Sequence, residues 1–198
     1  MTRTPSTRDL ALVAVFAALI AALGVAPPLY PFGGSVPITA QTLGVMLAGS
    51  VLGARRGALA VLTFLVLVAV GLPLLSGGRG GPGVLVGPSA GFLVGWLPGA
   101  WVVGWLVERR LPGRVLPAQV AAACVLGGIV VVYALGVPGL VWLGDVSWGK
   151  AFTGSLVFLP GDLVKVAVAT VVTLAVLRGY PSAVPSRERA RFGAEASR

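Results

Sequence analysis

Asp162 and Lys165 stand three residues apart in an otherwise apolar run, Phe158–Thr170 (FLPGDLVKVAVAT). On a helix, that spacing puts both side chains on one face. An ionisable group at membrane depth costs about 2.5–3.5 kcal/mol on insertion scales, so a pair of opposite sign needs a reason. A carboxylate acceptor beside an ammonium donor suits a small polar ligand that both donates and accepts hydrogen bonds. A self-contained buried salt bridge and a proton-linked pair are the other readings. A hydrophobic pair of similar volume is often at least as stable as a buried salt bridge, which favours a ligand.

Other residue patterns resemble catalytic motifs without their chemistry. Gly87-Pro88-Ser89-Ala90-Gly91 fits G-x-S-x-G, but the chain has no histidine to take the serine proton. A Ser89–Lys165 dyad is the hydrolase reading that remains; otherwise the segment is a turn into a helix. Gly78-Arg79-Gly80-Gly81-Pro82-Gly83 fits G-x-G-x-x-G, yet no acidic residue occurs between Asp9 and Glu108 to meet a ribose. Gly144-Asp145-Val146-Ser147-Trp148-Gly149-Lys150-Ala151 approaches a P-loop, but Ala151 replaces the hydroxyl that holds magnesium. If ATP is used, another chain hydrolyses it. Cys124 is the lone cysteine, so no internal disulfide and no thiol or imidazole metal site is expected.

The elements that must position the pair are membrane helices. Hydrophobic residues make up 57% of the 198 and charged residues only 11%; mean hydropathy is +0.96. Soluble domains carry about 25% charged residues. Thr2–Asp9 is short and polar and no small-residue cleavage site follows, so the first apolar run is expected to stay as a span. Six apolar segments are expected at Leu10–Ala26, Ile38–Gly53, Ala58–Leu75, Gly87–Val107, Val115–Leu135 and Ser155–Leu177. The second and fourth are interrupted or flanked by Gly and Pro.

The net charge of +9 comes from 15 basic and 6 acidic residues. Setting aside Arg79, Lys150 and Lys165 leaves 12 of the 15, which alternate between segments so that six spans place them all on one side. They are Arg3 and Arg8, Arg55 and Arg56, Arg109, Arg110 and Arg114, and five arginines from Arg178 onward. The positive-inside rule makes that side cytoplasmic, with both termini inside. This accounts for the charge without nucleic acid.

On the other side the connections are longer. Pro27–Pro37 cannot be regular helix. Pro73–Pro88 is Gly-rich and should be mobile or tightly turned. Gly136–Gly154, with Trp142, Trp148 and Lys150, suits an interfacial helix. The inner connections, Ala54–Gly57 and Glu108–Arg114, are short. Elaborate loops on one side suggest a ligand cavity opening outward beneath a lid.

Helix length places the acid–base pair. A last helix capped by Asp162 would reach only about 22 Å, whereas one starting at Ser155 reaches about 35 Å and spans. Pro160-Gly161 then becomes a kink inside the helix, with Asp162 and Lys165 just below it. In the first span, Ala14, Ala18 and Ala22 form a smooth stripe open to another helix, within the bundle or on a partner.

Four pieces in order carry a resemblance over about Leu10–Leu177. They are Val36–Thr42 (VPITAQT), Gly71-Leu72-Pro73 with Ser76–Gly81 (GLP…SGGRGG), Gly87–Phe92 (GPSAGF) and Leu159–Lys165 (LPGDLVK). The chain resembles the BioY family, the substrate-binding S components of energy-coupling factor (ECF) biotin transporters. The resemblance implies an all-α integral membrane fold of six transmembrane helices. It implies a vitamin pocket open to the outside and docking on a transmembrane coupling protein that carries two ATPase subunits. Biotin would be the transported ligand, with no cofactor. Asp162 and Lys165 would meet its ureido ring. Gln41, Thr39 and the loop containing Gly77, Gly78 and Arg79 would complete the pocket, Arg79 facing the carboxylate and Phe92 forming a stacking wall. Ala14, Ala18 and Ala22 would face the coupling protein. Ser89, Ala90 and Phe92 depart from a family pattern that commonly reads Thr, Gly and Tyr, and small residues replace a third-loop asparagine found in some relatives.

The expected organisation is a cytoplasmic segment 1–9, a membrane domain 10–177 and a basic cytoplasmic tail 178–198, in a bacterial cytoplasmic membrane. The expected function is biotin binding and uptake without enzymatic activity. A solitary secondary transporter using Asp162–Lys165 as a proton-linked pair is the alternative.

Overall fold

The computed structural model describes residues 6–28, 36, 38–109 and 115–179. Most of the Pro27–Pro37 connection, Arg3, Arg110, Arg114 and the tail beyond Gly179 lie outside the described residues. The described chain is mainly helical, and an isolated antiparallel bridge joins Leu75 and Arg79.

Helix α1 (Thr7–Leu23) opens on a capping box: Ser6 Oγ accepts from the Asp9 amide, and Asp9 accepts from the Ser6 amide. It therefore starts earlier than the apolar run. Helix α2 (Gln41–Leu52) is shorter than expected because Ile38–Ala40 stays non-helical. Helix α3 (Ala54–Ala69) follows after Gly53 alone, so Arg55 and Arg56 lie in its first turn rather than in a connection. It ends six residues before Leu75, and the remainder joins the loop ahead of a short 3-10 turn, Pro82–Leu85. Helix α4 (Ala90–Glu108) runs through Pro98.

The largest departures come next. The fifth segment is one helical rod, Pro117–Gly144, rather than one ending at Leu135. It comprises α5 (Pro117–Cys124), a π-helical stretch Val125–Val131, and α6 (Val132–Gly144). Gly136 and Pro138 do not break it. Packing against α4 holds this part of the rod: a Cβ on Gly139 would come within 2.6 Å of Gly91 Cα, so the two backbones touch.

The expected Gly136–Gly154 loop shrinks to Asp145–Ser147 and a short helix α7 (Trp148–Leu156). Helix α8 (Leu159–Gly179) then begins afresh. Pro160-Gly161 is thus not a kink within a helix begun at Ser155. Pro160 occupies the first turn, where its missing N–H costs nothing. With 21 residues, α8 is about 31 Å long, which is long enough to span without the extra turn that a start at Ser155 would add.

Two apolar clusters form the core. Phe64, Val61, Ile20 and Trp96 join α1, α3 and α4. Met46, Val120, Cys124, Ala169 and Leu177 join α2, α5 and α8. The exterior is apolar as well: Val66, Val94, Val130, Val164 and Val171 are exposed. Gln41, Ser50, Asp162 and Thr173 are buried. Apolar outside and polar inside is the arrangement a lipid environment selects. Helices Ala90–Glu108, Pro117–Gly144 and Leu159–Gly179 are each long and apolar enough to cross a membrane.

Candidate functional site

A cavity opens at the end of the bundle where α1 finishes and α2, α4 and α8 begin. It encloses about 590 Å³ of empty space, its mouth included. The opposite end carries the ion pair between Arg56 of α3 and Asp9 of α1.

Asp162 and Lys165 both line the cavity. Starting α8 at Leu159 puts Asp162 in the first turn, where the helix dipole favours a carboxylate. The two are paired: Lys165 Nζ donates to Asp162 Oδ1 at 2.8 Å. Lys165 also donates to Thr42 Oγ1 of α2 at 2.9 Å. Tyr133 of α6 donates its hydroxyl to Asp162 Oδ2 at 2.6 Å. Three helices therefore meet at one charge pair.

Thr39, Gln41, Arg79 and Phe92 also line the cavity, whereas Gly77 and Gly78 do not. The two glycines make the turn of a tight hairpin closed by reciprocal Leu75–Arg79 backbone bonds of 3.0 and 3.2 Å. Both have positive φ, 79° and 70°, which admits glycine readily. The Gly-rich connection is thus tightly turned, and it delivers Arg79 to the cavity. Arg79 Nε donates to the Ser76 carbonyl at 3.3 Å.

Gln41 is buried and its amide is occupied. Nε2 donates to the carbonyls of Ile20 (3.2 Å) and Leu74 (3.1 Å), and Oε1 accepts from the Ser76 amide at 3.0 Å. Gln41 thereby staples the hairpin to the end of α1. Ser76 Oγ adds a bond to the Ala26 carbonyl at 2.9 Å.

Phe92 meets the rings of Tyr133 and Phe158 edge to face, each at 6.0 Å. This makes an aromatic wall beside the charges. Trp96 lines the cavity too, and its buried indole N–H has no hydrogen-bond partner among the described residues. Ser89 also lines it, but the described partners of Lys165 are Asp162 and Thr42, so the geometry shows no Ser89–Lys165 dyad.

Sequence reasoning missed Tyr133, Thr42, Trp96 and Phe158 as lining residues. Tyr133 carried a signal: it is the one hydroxyl-bearing residue between Cys124 and Asp145. Thr42 closes the quoted VPITAQT piece, one position beyond Gln41. Ala14, Ala18 and Ala22 are all exposed on α1, while Val13, Ala17 and Ile20 on the opposite face are buried.

A bundle of apolar-faced helices around a largely apolar cavity that holds one charge pair defines a membrane protein that binds a small solute. The BioY family model matches residues 1–182. A biotin transporter BioY from Rhizobium etli is 54% identical over 180 residues, covering 89% of this chain and 96% of the relative. Another, from Rhodobacter capsulatus, is 50% identical over 192 residues, covering 91% and 98%. The crystal structure of the S-component for biotin from an ECF-type ABC transporter superposes with a TM-score of 0.83 at 30% identity, over 90% of this chain and 95% of that one. The chain belongs to the BioY family. These relatives are transporters by name, not enzymes.

Proposed function

We propose that this protein is the biotin-binding S component of an ECF-type transporter. It captures biotin outside the cell and hands it inward when partner ATPases supply the energy. The observation that carries the proposal is the Asp162–Lys165 pair, held by Tyr133 and Thr42 inside a cavity lined with aromatic residues. Biotin's ureido ring has two N–H donors and a carbonyl acceptor. Asp162 retains lone pairs, and Lys165 retains one of its three N–H donors after serving Asp162 and Thr42. The complement is therefore present in one place. Phe92, with Tyr133 and Phe158, would pack against the apolar bicycle. Arg79 would meet the carboxylate at the mouth, and Thr39 and the Gly77-Gly78 turn would shape that mouth. Gln41 would act by holding the hairpin rather than by touching the ligand.

In this reading the chain crosses the bacterial cytoplasmic membrane six times: α1, α2, α3, α4, the α5–α6 rod and α8. Both termini are cytoplasmic, and α7 lies at the outer interface. The arginine-bearing end then faces the cytoplasm, as the positive-inside rule requires. The exposed Ala14–Ala18–Ala22 stripe would seat a transmembrane coupling protein carrying two ATPase subunits.

Purified protein in detergent, without partners, tests the function. Titration calorimetry should show biotin binding with one site per chain. No heat or thermal stabilisation across micromolar biotin would refute the proposal.

A further inference from the structure

Trp96 is only 4% exposed and lines the cavity, and its indole N–H has no hydrogen-bond partner among the described residues. A buried tryptophan N–H ordinarily has one. The indole nitrogen donates and cannot accept, so only an acceptor satisfies it. Packing on Phe64 of α3, with ring centroids 6.1 Å apart, holds the indole in place.

The fold sets this donor across the cavity from the charge pair. Trp96 is the seventh residue of α4 and Lys165 the seventh of α8, so each stands about 9 Å along its helix from the cavity end. Helix α2 packs on both and stands between them, whereas α4 and α8 share no comparable interface. A ligand held at one edge by Asp162 and Lys165 therefore turns its opposite edge toward α4.

Resting on the biotin reading above, we propose that Trp96 is a specificity-determining residue whose indole N–H donates to the thioether sulfur of biotin. Biotin carries three kinds of acceptor. In that reading Lys165 meets the ureido oxygen and Arg79 the carboxylate. The sulfur is left, and it lies at the edge of the fused bicycle opposite the ureido group. A thioether sulfur is a weak acceptor, but a methylene in its place accepts nothing and leaves the indole N–H buried and unpaired. A site that bonds a ligand group rejects the analogue lacking it more strongly than a change of shape alone would.

The test is a cycle of protein against ligand, read by titration calorimetry. The ligands are biotin, its analogue with CH2 in place of sulfur, and its analogue with ether oxygen there. Wild type should bind the CH2 analogue about tenfold weaker than biotin, with the oxygen analogue between them or level with biotin. Trp96→Phe should weaken biotin about tenfold and close the gap between biotin and the CH2 analogue to about twofold. Four results would overturn the proposal: no gap in wild type, a gap undiminished in Trp96→Phe, an equal loss for all three ligands, or an oxygen analogue that behaves as the CH2 compound does. The equal loss would mark Trp96 as a wall that only fills space. Wild type failing to bind biotin at all would instead refute the transporter function. Should Trp96→Phe not fold, 3-benzothienylalanine at position 96 keeps the shape of the indole and removes the N–H. The same closure of the gap is expected there, and a gap of wild-type size would count against the assignment.

Discussion

Gln41 and Ser76 lie 35 positions apart and are joined by a 3.0 Å hydrogen bond from the Ser76 amide to the Gln41 side-chain oxygen. The other end of the same amide serves Ile20 and Leu74. One buried side chain thus holds α1, α2 and the Leu75–Arg79 hairpin in register. Gln41→Leu would leave two carbonyls and one amide N–H without that partner, at about 1–3 kcal/mol for each group that stays buried and unpaired. Thermal unfolding in detergent should show a clear fall in midpoint, together with weakened biotin binding as Arg79 loses its position. Gln41→Glu keeps the acceptor for Ser76 but sets a carboxylate against two carbonyl oxygens, so it should be no better tolerated. A Gln41→Leu protein with wild-type stability and affinity would show that the hairpin holds itself.

The Asp162–Lys165 pair can be separated into a stability role and a recognition role. Removing one partner of a buried pair costs about 3–5 kcal/mol, because a charge is left behind, whereas an apolar pair of similar size is often neutral. Asp162→Ala and Lys165→Ala should each lower the unfolding midpoint and abolish biotin binding. The double variant Asp162→Leu/Lys165→Met should recover much of the stability and still bind no biotin. Biotin binding by the double variant would show that the pair is structural.

Close backbone contact between α4 and α6 sets the aromatic wall. A Cβ on Gly91 would collide with the Leu135 carbonyl oxygen and lie 2.8 Å from Gly139 Cα. Neither is a flexible side-chain end, so Gly91→Ala must move a helix. Forced overpacking of this kind costs about 1–3 kcal/mol. The shift would also part Phe92 on α4 from Tyr133 on α6. Gly91→Ala should therefore lower both unfolding temperature and biotin affinity, measured by thermal unfolding and calorimetry. Ser89→Ala, two residues away, should leave both nearly unchanged.

Much of this arrangement is legible in the residues, and the gaps have physical causes. The charge pair declares itself because nothing else in the last apolar run is ionisable until Arg178. The helix ends do not. Proline stops a helix in its interior but is tolerated in the first turn, so Pro160 reads equally as a kink or a start. Pro138 and Gly136 look like breakers, yet α6 continues through both, with α4 packed closely on Gly136 and Gly139. Tyr133 reaches Asp162 only because the π-helical stretch and α6 bring it there, and no local spacing in the sequence encodes a contact between residues 29 positions apart. Gln41 was legible as a polar residue at the cavity but not as a staple, since its partners are backbone groups that any sequence supplies.

Ala18 lies at the middle of the exposed alanine stripe on α1, facing away from the bundle core. Small residues let a second helix approach closely, and in lipid that approach is driven by packing rather than by the hydrophobic effect. Ala18 is exposed, and Ala17 and Ile20 carry the buried face of this stretch. Ala18→Leu should therefore keep the wild-type unfolding midpoint and biotin affinity, the exposed change costing within about 0.5 kcal/mol. It should reduce co-purification with a coupling protein and its ATPase subunits, read as the yield of intact complex on size-exclusion chromatography. Uptake driven by ATP in reconstituted vesicles should fall in parallel. Loss of biotin binding by Ala18→Leu alone would place the stripe within the binding fold, and an undiminished complex would move the docking surface to another face.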